Sequence, residues 1–167
     1  MLFIYTLTVP KDIAYNYGKG KLSFYAQTST TDAAGYCDDF IIGGIDTTVV
    51  ITETRPDIQL FINDTNFING GITDENPKLF AIVEDEIAIN TVGSGLGHDI
   101  MARLDNAANT FVLNDYFEVD SENPNKGTIT FPFSNLSNGE HTLSLKVWNI
   151  FNFSSDATIT FVVNSSE

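Results

Sequence analysis

EHTLSLKVW, residues 140–148, and ATITFVV, residues 157–163, are the two stretches that decide the fold. Every second residue in them is apolar: Leu143, Leu145 and Val147 in the first, and Ile159, Phe161 and Val163 in the second. A period of two with one apolar face is typical of a strand half-buried against a second sheet. Turn-forming residues stand at 138–139 and 152–156. The two stretches therefore predict two antiparallel strands that close a β-sandwich.

The composition is that of a folded all-β protein. Hydrophobic residues make up 43% of the 167 positions, which is enough for a core and well above disordered compositions. Phe occurs 13 times, and aromatic and β-branched residues favour strands. No long stretch has the periodicity of a helix. We therefore expect an all-β fold.

The charge is strongly acidic, with 22 Asp and Glu against 8 Lys and Arg and a formal net charge of −14. Such a chain repels phosphate backbones and anionic headgroups, so we expect neither nucleic acid nor membrane surfaces as partners. A run of about 18 apolar residues is missing, so we expect no direct membrane insertion. A single cysteine permits no internal disulfide.

Residues 1–44 are predicted to be β-rich, with strands near 2–9, 22–26 and 40–42 and a polar loop over 28–35. Three short strands do not easily bury a core of their own. We therefore expect this segment to be the end of a larger, upstream β-domain that the chain cuts short. Its strands are expected to have an unpaired edge, or to be paired by another copy of the chain or by the sandwich. Residues 45–56 are predicted to be an extended linker.

Residues 57–167 are predicted to form the sandwich. Besides the two closing strands, apolar alternation predicts strands at 58–62, 78–84, 100–104, 111–117 and 127–133. Turn signals every 8–15 residues are typical of an immunoglobulin-like β-sandwich.

A series of short motifs also resembles a known family. The motifs are Val9–Ile13, Gly18–Lys21, Tyr25–Ala26, Asp32–Tyr36, Ile42–Gly44, Leu60–Asp64, Gly70–Gly71, Asp74–Pro77, Asp85–Glu86, Ile89–Asn90, Gly97–Ile100, Leu113–Tyr116, Gly139–Leu143 and Leu145–Asn149. Together they resemble the C-terminal, non-catalytic part of the PorU-type sortases of the type IX secretion system. Those proteins are gingipain-like cysteine peptidases on the surface of Bacteroidota.

The resemblance implies that the catalytic Cys and His lie upstream, in a domain that this chain does not contain. It also implies a location at the cell surface, associated with the outer membrane on its extracellular side. The implied partners are the upstream peptidase domain of the same polypeptide and surface proteins of the secretion system. The chain departs from the family pattern at Asn149 and Phe153, where a more acidic and Asn-rich loop is expected, which affects the predicted loop conformation.

No catalytic or cofactor site is predicted from the residues themselves. Cys37 with His98 or His141 could form a nucleophile and base, but one cysteine with distant histidines is a weak signal, and a structural role for Cys37 is favoured. The Gly-rich stretch 93–97 is neither a P-loop nor a dinucleotide fingerprint, because no Lys-Ser/Thr and no helix follow it. We expect a tight turn there, with His98 and Asp99 bonding local backbone.

Two further sets of residues are candidates for binding. Asp85, Glu86, Asp120 and Glu122 are carboxylates in predicted loops and are weak candidates for Ca²⁺, although solvated acidic loops are the favoured interpretation. Trp148, Phe151 and Phe153 form a possible partner surface, because simple alternation places Trp148 on the outer face of its strand. Burial of the indole under the following loop is the alternative, and it is favoured.

Two classes of function follow from these observations. The first is a non-catalytic accessory domain of a cell-surface type IX secretion sortase, which stabilises or positions the upstream peptidase or contacts secretion-system partners. The alternative is an autonomous adhesin-like module that binds a glycan, haem or a protein. Haem is disfavoured because only two His, two Met and one Cys could serve as ligands.

Overall fold

The computed structural model describes residues 16–44, 53–92, 97–105 and 109–165. These residues form two compact units, one within 16–44 and one within 53–165. The predicted strand at 2–9 and most of the predicted linker, residues 45–52, lie outside the described residues. The part of the chain that is described contains no helix with the length and hydropathy that a bilayer span requires.

The first unit consists of four short strands in two antiparallel pairs. Strands β1 (Gly18–Lys19) and β4 (Ile41–Ile42) pair with each other, and strands β2 (Leu22–Gln27) and β3 (Asp32–Cys37) form a hairpin. The prediction of a loop over residues 28–35 is wrong, because only Thr28–Thr31 turn the chain before β3 begins at Asp32. Small residues dominate β3 and are weak strand formers, so pairing with β2 overrides their propensity.

The second unit is a β-sandwich, as predicted. Its strands are β5 (Asp57–Ile62), β6 (Ile72–Thr73), β7 (Lys78–Glu84), β8 (Met101–Leu104), β9 (Thr110–Val112), β10 (Phe117–Val119), β11 (Lys126–Pro132), β12 (Gly139–Trp148) and β13 (Ser154–Val163). One sheet has the order β10-β11-β7-β5 and the other β6-β13-β12-β8-β9. All neighbours are antiparallel except β6 and β13. The first order, and the order β13-β12-β8 within the second sheet, are those of the ABED and GFC sheets of immunoglobulin-like sandwiches, and β6 and β9 extend the second sheet at its edges.

The core lies between the two sheets and contains the residues that alternation selected. Leu143, Leu145, Val147 and Phe161 are fully buried, and Ile159 and Val163 are almost so. β13 packs against β5 of the opposite sheet, where the side chain of Ile62 is fully buried. The predicted phase of both closing strands is therefore confirmed. Their apolar side chains and those of β5 and β7 form one continuous core.

The segment 111–117, predicted as one strand, is instead a crossing between the two sheets. β9 ends at Val112 in the five-stranded sheet, a 3₁₀ turn spans Asn114–Tyr116, and β10 begins at Phe117 in the four-stranded sheet. The side chain of Asn114 holds this crossing: its Oδ1 accepts from the Ile100 N–H at 2.9 Å and its Nδ2 donates to the Thr91 carbonyl at 3.1 Å. An apolar pattern does not encode hydrogen bonds made by one side chain, so it predicts a continuous strand here.

His141 occupies an inward-facing position of β12, opposite Phe161 in the ladder, and its ring stacks on that phenyl ring at 5.4 Å. Its Nδ1 lies 2.9 Å from the Asp105 carboxylate and its Nε2 lies 2.8 Å from the Ser137 carbonyl oxygen. Both partners are acceptors, so both ring nitrogens donate only when the imidazole is protonated. Burial lowers the pKa of His141, but the Ser137 carbonyl and the Asp105 carboxylate together raise it above the ordinary 6.5.

The fold makes a prediction for β13. Phe161→Ala removes a fully buried ring and is expected to cost about 3–5 kcal/mol of unfolding free energy. Thr160→Ala, on the opposite face, removes one partly exposed hydroxyl bond to Asn69 and is expected to cost about 1 kcal/mol. Chemical denaturation of the two variants measures the contrast. A larger loss for Thr160→Ala would mean that the strand phase is wrong by one residue.

His141 makes a prediction about pH. Because its folded pKa is raised, its stabilising contribution is fully present below the unfolded pKa and is lost as the pH rises through the folded value. The stability difference between the parent chain and His141→Gln is therefore expected to shrink from about pH 5 to about pH 9. Urea denaturation of both proteins over that range measures it. A difference that grows with pH would contradict a protonated imidazole.

Candidate functional site

The turn after β12 carries the predicted partner surface, and one buried amide organises it. Asn149 is fully buried. Its Oδ1 accepts from the backbone N–H groups of Phe151 and Phe153, each at 3.0 Å. Its Nδ2 donates to the Thr54 carbonyl and to the Asp85 carboxylate, each also at 3.0 Å. The side chain therefore makes the four hydrogen bonds of which an amide is capable.

Backbone bonds complete this turn. The Asn149 N–H donates to the Phe153 carbonyl at 2.9 Å, and the Asn152 N–H donates to the Asn149 carbonyl at 3.0 Å. Asn152 has a φ of +66°, a left-handed conformation that Asn tolerates better than most residues. The chain departs from the family pattern at Asn149 and Phe153. The conformation of the loop there is set by the hydrogen bonds of Asn149.

Residues 53–56, the described part of the predicted linker, are fastened to the sandwich at this turn. Besides the bond from Asn149 to Thr54, the Arg55 guanidinium donates from Nη1 to the Ser154 carbonyl at 2.8 Å. The same guanidinium lies over the Phe153 ring, 5.8 Å from its centroid. Pro56 is buried. The chain therefore enters β5 along a fixed path.

The aromatic residues of the predicted partner surface are all half-buried. Trp148 lies on the outer face of β12, as alternation predicts, and there the His98 ring packs at 4.4 Å and the Lys146 ammonium at 5.0 Å from the indole ring. Phe153 lies under Arg55. A bare aromatic patch is therefore not present at Trp148 or Phe153, and docking through Trp148, Phe151 and Phe153 stays a prediction.

The four carboxylates considered for calcium lie in two loops. Asp85 and Glu86 follow β7, and Asp120 and Glu122 follow β10. Asp85 is buried, and its oxygens accept from the Ile87 N–H at 3.1 Å and from Asn149. Asp120 accepts from the Glu122 N–H at 2.8 Å. Two of the four carboxylates are therefore already engaged in shaping their own loops.

An open cavity of about 460 Å³ lies beside Asp85. It is lined by Thr54, Arg55, Asp57, Glu84, Asp85, Glu86, Asn123 and Asn125. Within the described ranges, no three His, Cys, Asp or Glu side chains are arranged as a metal-ligand set. Calcium binding by these loops therefore stays a prediction from their chemistry.

The cysteine and the histidines have separate surroundings. Cys37 is exposed on β3. His141 is bonded to Asp105 and Ser137, and His98 packs on Trp148. Asp99 accepts from the Asn114 side chain at 3.2 Å. Bonding of His98 and Asp99 to local backbone stays a prediction. Both imidazoles thus have packing roles in the sandwich.

The β2–β3 hairpin presents a surface that the sequence reasoning missed. Cross-strand partners share a face, so one face carries Leu22 with Cys37, Phe24 with Gly35, and Ala26 with Ala33. All of these residues are exposed except Leu22, which is half-buried, and Phe24 is 51% exposed. The sequence pattern predicts β2 but predicts a loop where β3 lies, so it predicts only half of this face. We call these six residues the apolar hairpin face.

Comparison with solved structures identifies a relative over nearly the whole chain. The crystal structure of dimeric latent PorU from Porphyromonas gingivalis matches 95% of this chain at 35% sequence identity, with a TM-score of 0.68. The chain is similar to a part of PorU. It spans 15% of the length of that PorU chain. The resemblance inferred from the short motifs is confirmed at this level, as similarity to a domain of PorU.

A second solved structure is CopC from Methylosinus trichosporium OB3b. It matches at 12% identity and a TM-score of 0.38, covering 65% of this chain and 97% of that one. This likeness is too weak to bear on fold or function. No protein-family model and no curated protein sequence matches the chain.

Asn149 gives a prediction for the turn. Asn149→Ala leaves the Asp85 carboxylate, the Thr54 carbonyl and two turn N–H groups without their partner and is expected to cost about 2–4 kcal/mol of unfolding free energy. Asn76→Ala is the matched control, because Asn76 is exposed and accepts one bond, from the Asn135 N–H, and it is expected to cost about 1 kcal/mol or less. Equal losses in denaturant melts would contradict the role of Asn149.

Proposed function

We propose that this chain is a non-catalytic accessory domain of a PorU-like cell-surface protein of the type IX secretion system, and that it stabilises or positions a peptidase domain of the same polypeptide. The observation that carries the proposal is the 35% identity to PorU over 95% of the chain, within 15% of the PorU chain. A segment that small within a larger polypeptide is the size of an accessory domain.

The chemistry of the described residues supports a structural role. The buried polar groups His141, Asn149 and Asp85 all bond groups of the fold itself. Catalytic groups instead need a substrate within hydrogen-bond reach. These three buried polar groups therefore support a structural role.

The rigid entry into the sandwich supports positioning. Residues 53–56 are held by Asn149 and by the Ser154 carbonyl, so the segment that precedes β5 has one defined direction. A domain that fixes the direction of its connection allows a neighbouring domain a narrower range of orientations than a flexible linker does. Surface proteins of the secretion system are the further partners of this proposal, and its location is the extracellular side of the outer membrane.

A peptidase assay tests the proposal. The purified chain is expected to leave peptides that carry a secretion-signal sequence uncleaved, and Cys37→Ala is expected to change nothing. Cleavage by the parent chain that disappears in Cys37→Ala would contradict a non-catalytic domain. A parallel titration with glycans or haem distinguishes the alternative, because saturable binding to the isolated chain favours an autonomous ligand-binding module.

A further inference from the structure

The buried ring of His141 connects two loops at one end of the sandwich. The Asp105 carboxylate lies 2.9 Å from its Nδ1, and the Ser137 carbonyl oxygen lies 2.8 Å from its Nε2. Asp105 follows β8, and Ser137 lies in the loop between β11 and β12. A neutral imidazole has only one N–H, so it donates to one of these acceptors and presents a lone pair to the other. Loss of one proton therefore breaks one of the two connections.

The Asp105 side of this connection is held by further bonds. The Oδ1 atom of Asp105 accepts from the Thr142 N–H at 3.0 Å, and the Asp105 N–H donates to the Thr142 carbonyl at 2.7 Å. A carboxylate is also the stronger acceptor, because hydrogen bonds to an ionised group are about twice as strong as those between neutral groups. The proton that a neutral His141 retains is therefore expected on Nδ1, where it faces Asp105.

The Ser137 side is held less firmly. The loop is anchored up to Leu136, whose N–H donates to the Glu75 carbonyl at 2.9 Å. Beyond it, Ser137 and Asn138 are exposed. The Oδ1 atom of Asn138 accepts from the backbone N–H and from the hydroxyl of Ser165, each at 2.8 Å, and Ser165 follows β13. A shift of Ser137 away from the imidazole therefore also moves the side chain that holds Ser165.

We propose that His141 is a pH-sensitive latch on the loop between β11 and β12. While both ring nitrogens are protonated, the latch is closed and the Ser137 carbonyl is held against the ring. When Nε2 gives its proton to water, its lone pair faces that carbonyl oxygen and repels it. Residues 137–138 and Ser165 are then released, whereas Asp105 stays bonded to Nδ1. This device goes beyond the accessory role, because it controls the conformation of the sandwich itself.

The groups that face the ring set the direction of the switch. They are the Asp105 carboxylate after β8, the uncharged Ser137 carbonyl of the loop, and the ring of Phe161 on β13, which stacks at 5.4 Å. Glu140, the charged neighbour on β12, points to the opposite face of the strand. Burial lowers the pKa of His141, but the two acceptors together raise it above 6.5. The latch is therefore closed at acidic pH and opens as the pH rises through the folded pKa.

Imidazole ¹⁵N NMR of the whole chain tests which nitrogen keeps its proton. Between about pH 5 and about pH 10, both nitrogens of His141 are expected to be protonated at the acidic end and Nδ1 alone at the basic end. The chain has two histidines, so the spectrum of His141→Gln identifies the signals. A proton on Nε2 at the basic end would overturn the proposal, because Ser137 would then stay bonded and Asp105 would lose its donor.

Amide hydrogen exchange measures the release of the loop. The protection factor divides the intrinsic exchange rate by the observed rate, and so removes the ordinary acceleration of exchange by base. The factor of the Ser165 amide is expected to fall by about fivefold as the latch opens, which is roughly what one hydrogen bond is worth. The Thr142 amide, which donates to Asp105, is expected to keep its factor. An equal fall at both amides, or an unchanged factor at Ser165, would contradict the latch.

Asp105→Asn separates the latch from a general effect of pH. An asparagine amide can donate to the bare Nδ1 of a neutral ring, so the proton stays on Nε2 and Ser137 remains bonded. The protection of the Ser165 amide is therefore expected to become independent of pH. Asp156→Asn is the matched control, because that exposed carboxylate pairs with Lys146 at 3.3 Å, and it is expected to keep the full pH response. A response of parental size in Asp105→Asn would overturn the proposal.

Discussion

The two-residue period shared by β12 and β13 is the constraint on which the sandwich depends. The two strands pair along their full lengths, from Gly139 with Val163 to Trp148 with Ser154. In that register Leu143, Leu145 and Phe161 all point into the core. A slip of one residue would turn this set to the solvent side, so one register is strongly specified. β8 and β6 then add at the outer edges of this pair, and the four-stranded sheet covers its inner face.

The alternating pattern of β12 ends at Trp148, and beyond it the structure is held by buried hydrogen bonds instead of apolar packing. Asn149 bonds the turn that follows it, the carboxylate of Asp85 after β7 and the carbonyl of Thr54 before β5. Three segments distant in sequence therefore meet at one amide. A fully satisfied buried group of this kind specifies one arrangement of its loops, because every alternative leaves a buried donor or acceptor unpaired.

The strands with strong apolar alternation could be predicted from the sequence. Elements whose conformation depends on one side-chain hydrogen bond or on pairing with another strand could not. β5, β7, β11, β12 and β13 follow from apolar periodicity, and the all-β sandwich follows from them. The crossing at 111–117 depends on the amide of Asn114, and β3 depends on its pairing with β2, neither of which an apolar pattern encodes. The role of Asn149 could not be predicted either, because a single Asn after a strand ordinarily indicates an exposed turn. The half-buried state of Trp148 depends on His98, which comes from a distant loop.

The last strand is held on both of its edges near its C-terminal end. On one side it pairs with β12, and on the other the Gly70 N–H donates to the Thr160 carbonyl, the Val162 N–H to the Gly71 carbonyl and the Asn164 N–H to the Thr73 carbonyl. These bonds run across the strand, so a pull along β13 would shear both rows together instead of opening them one by one. Survival under such a force is set by the rate of unfolding rather than by equilibrium stability. Residues 160–164 are therefore expected to resist such a pull more than a strand bonded on one edge would.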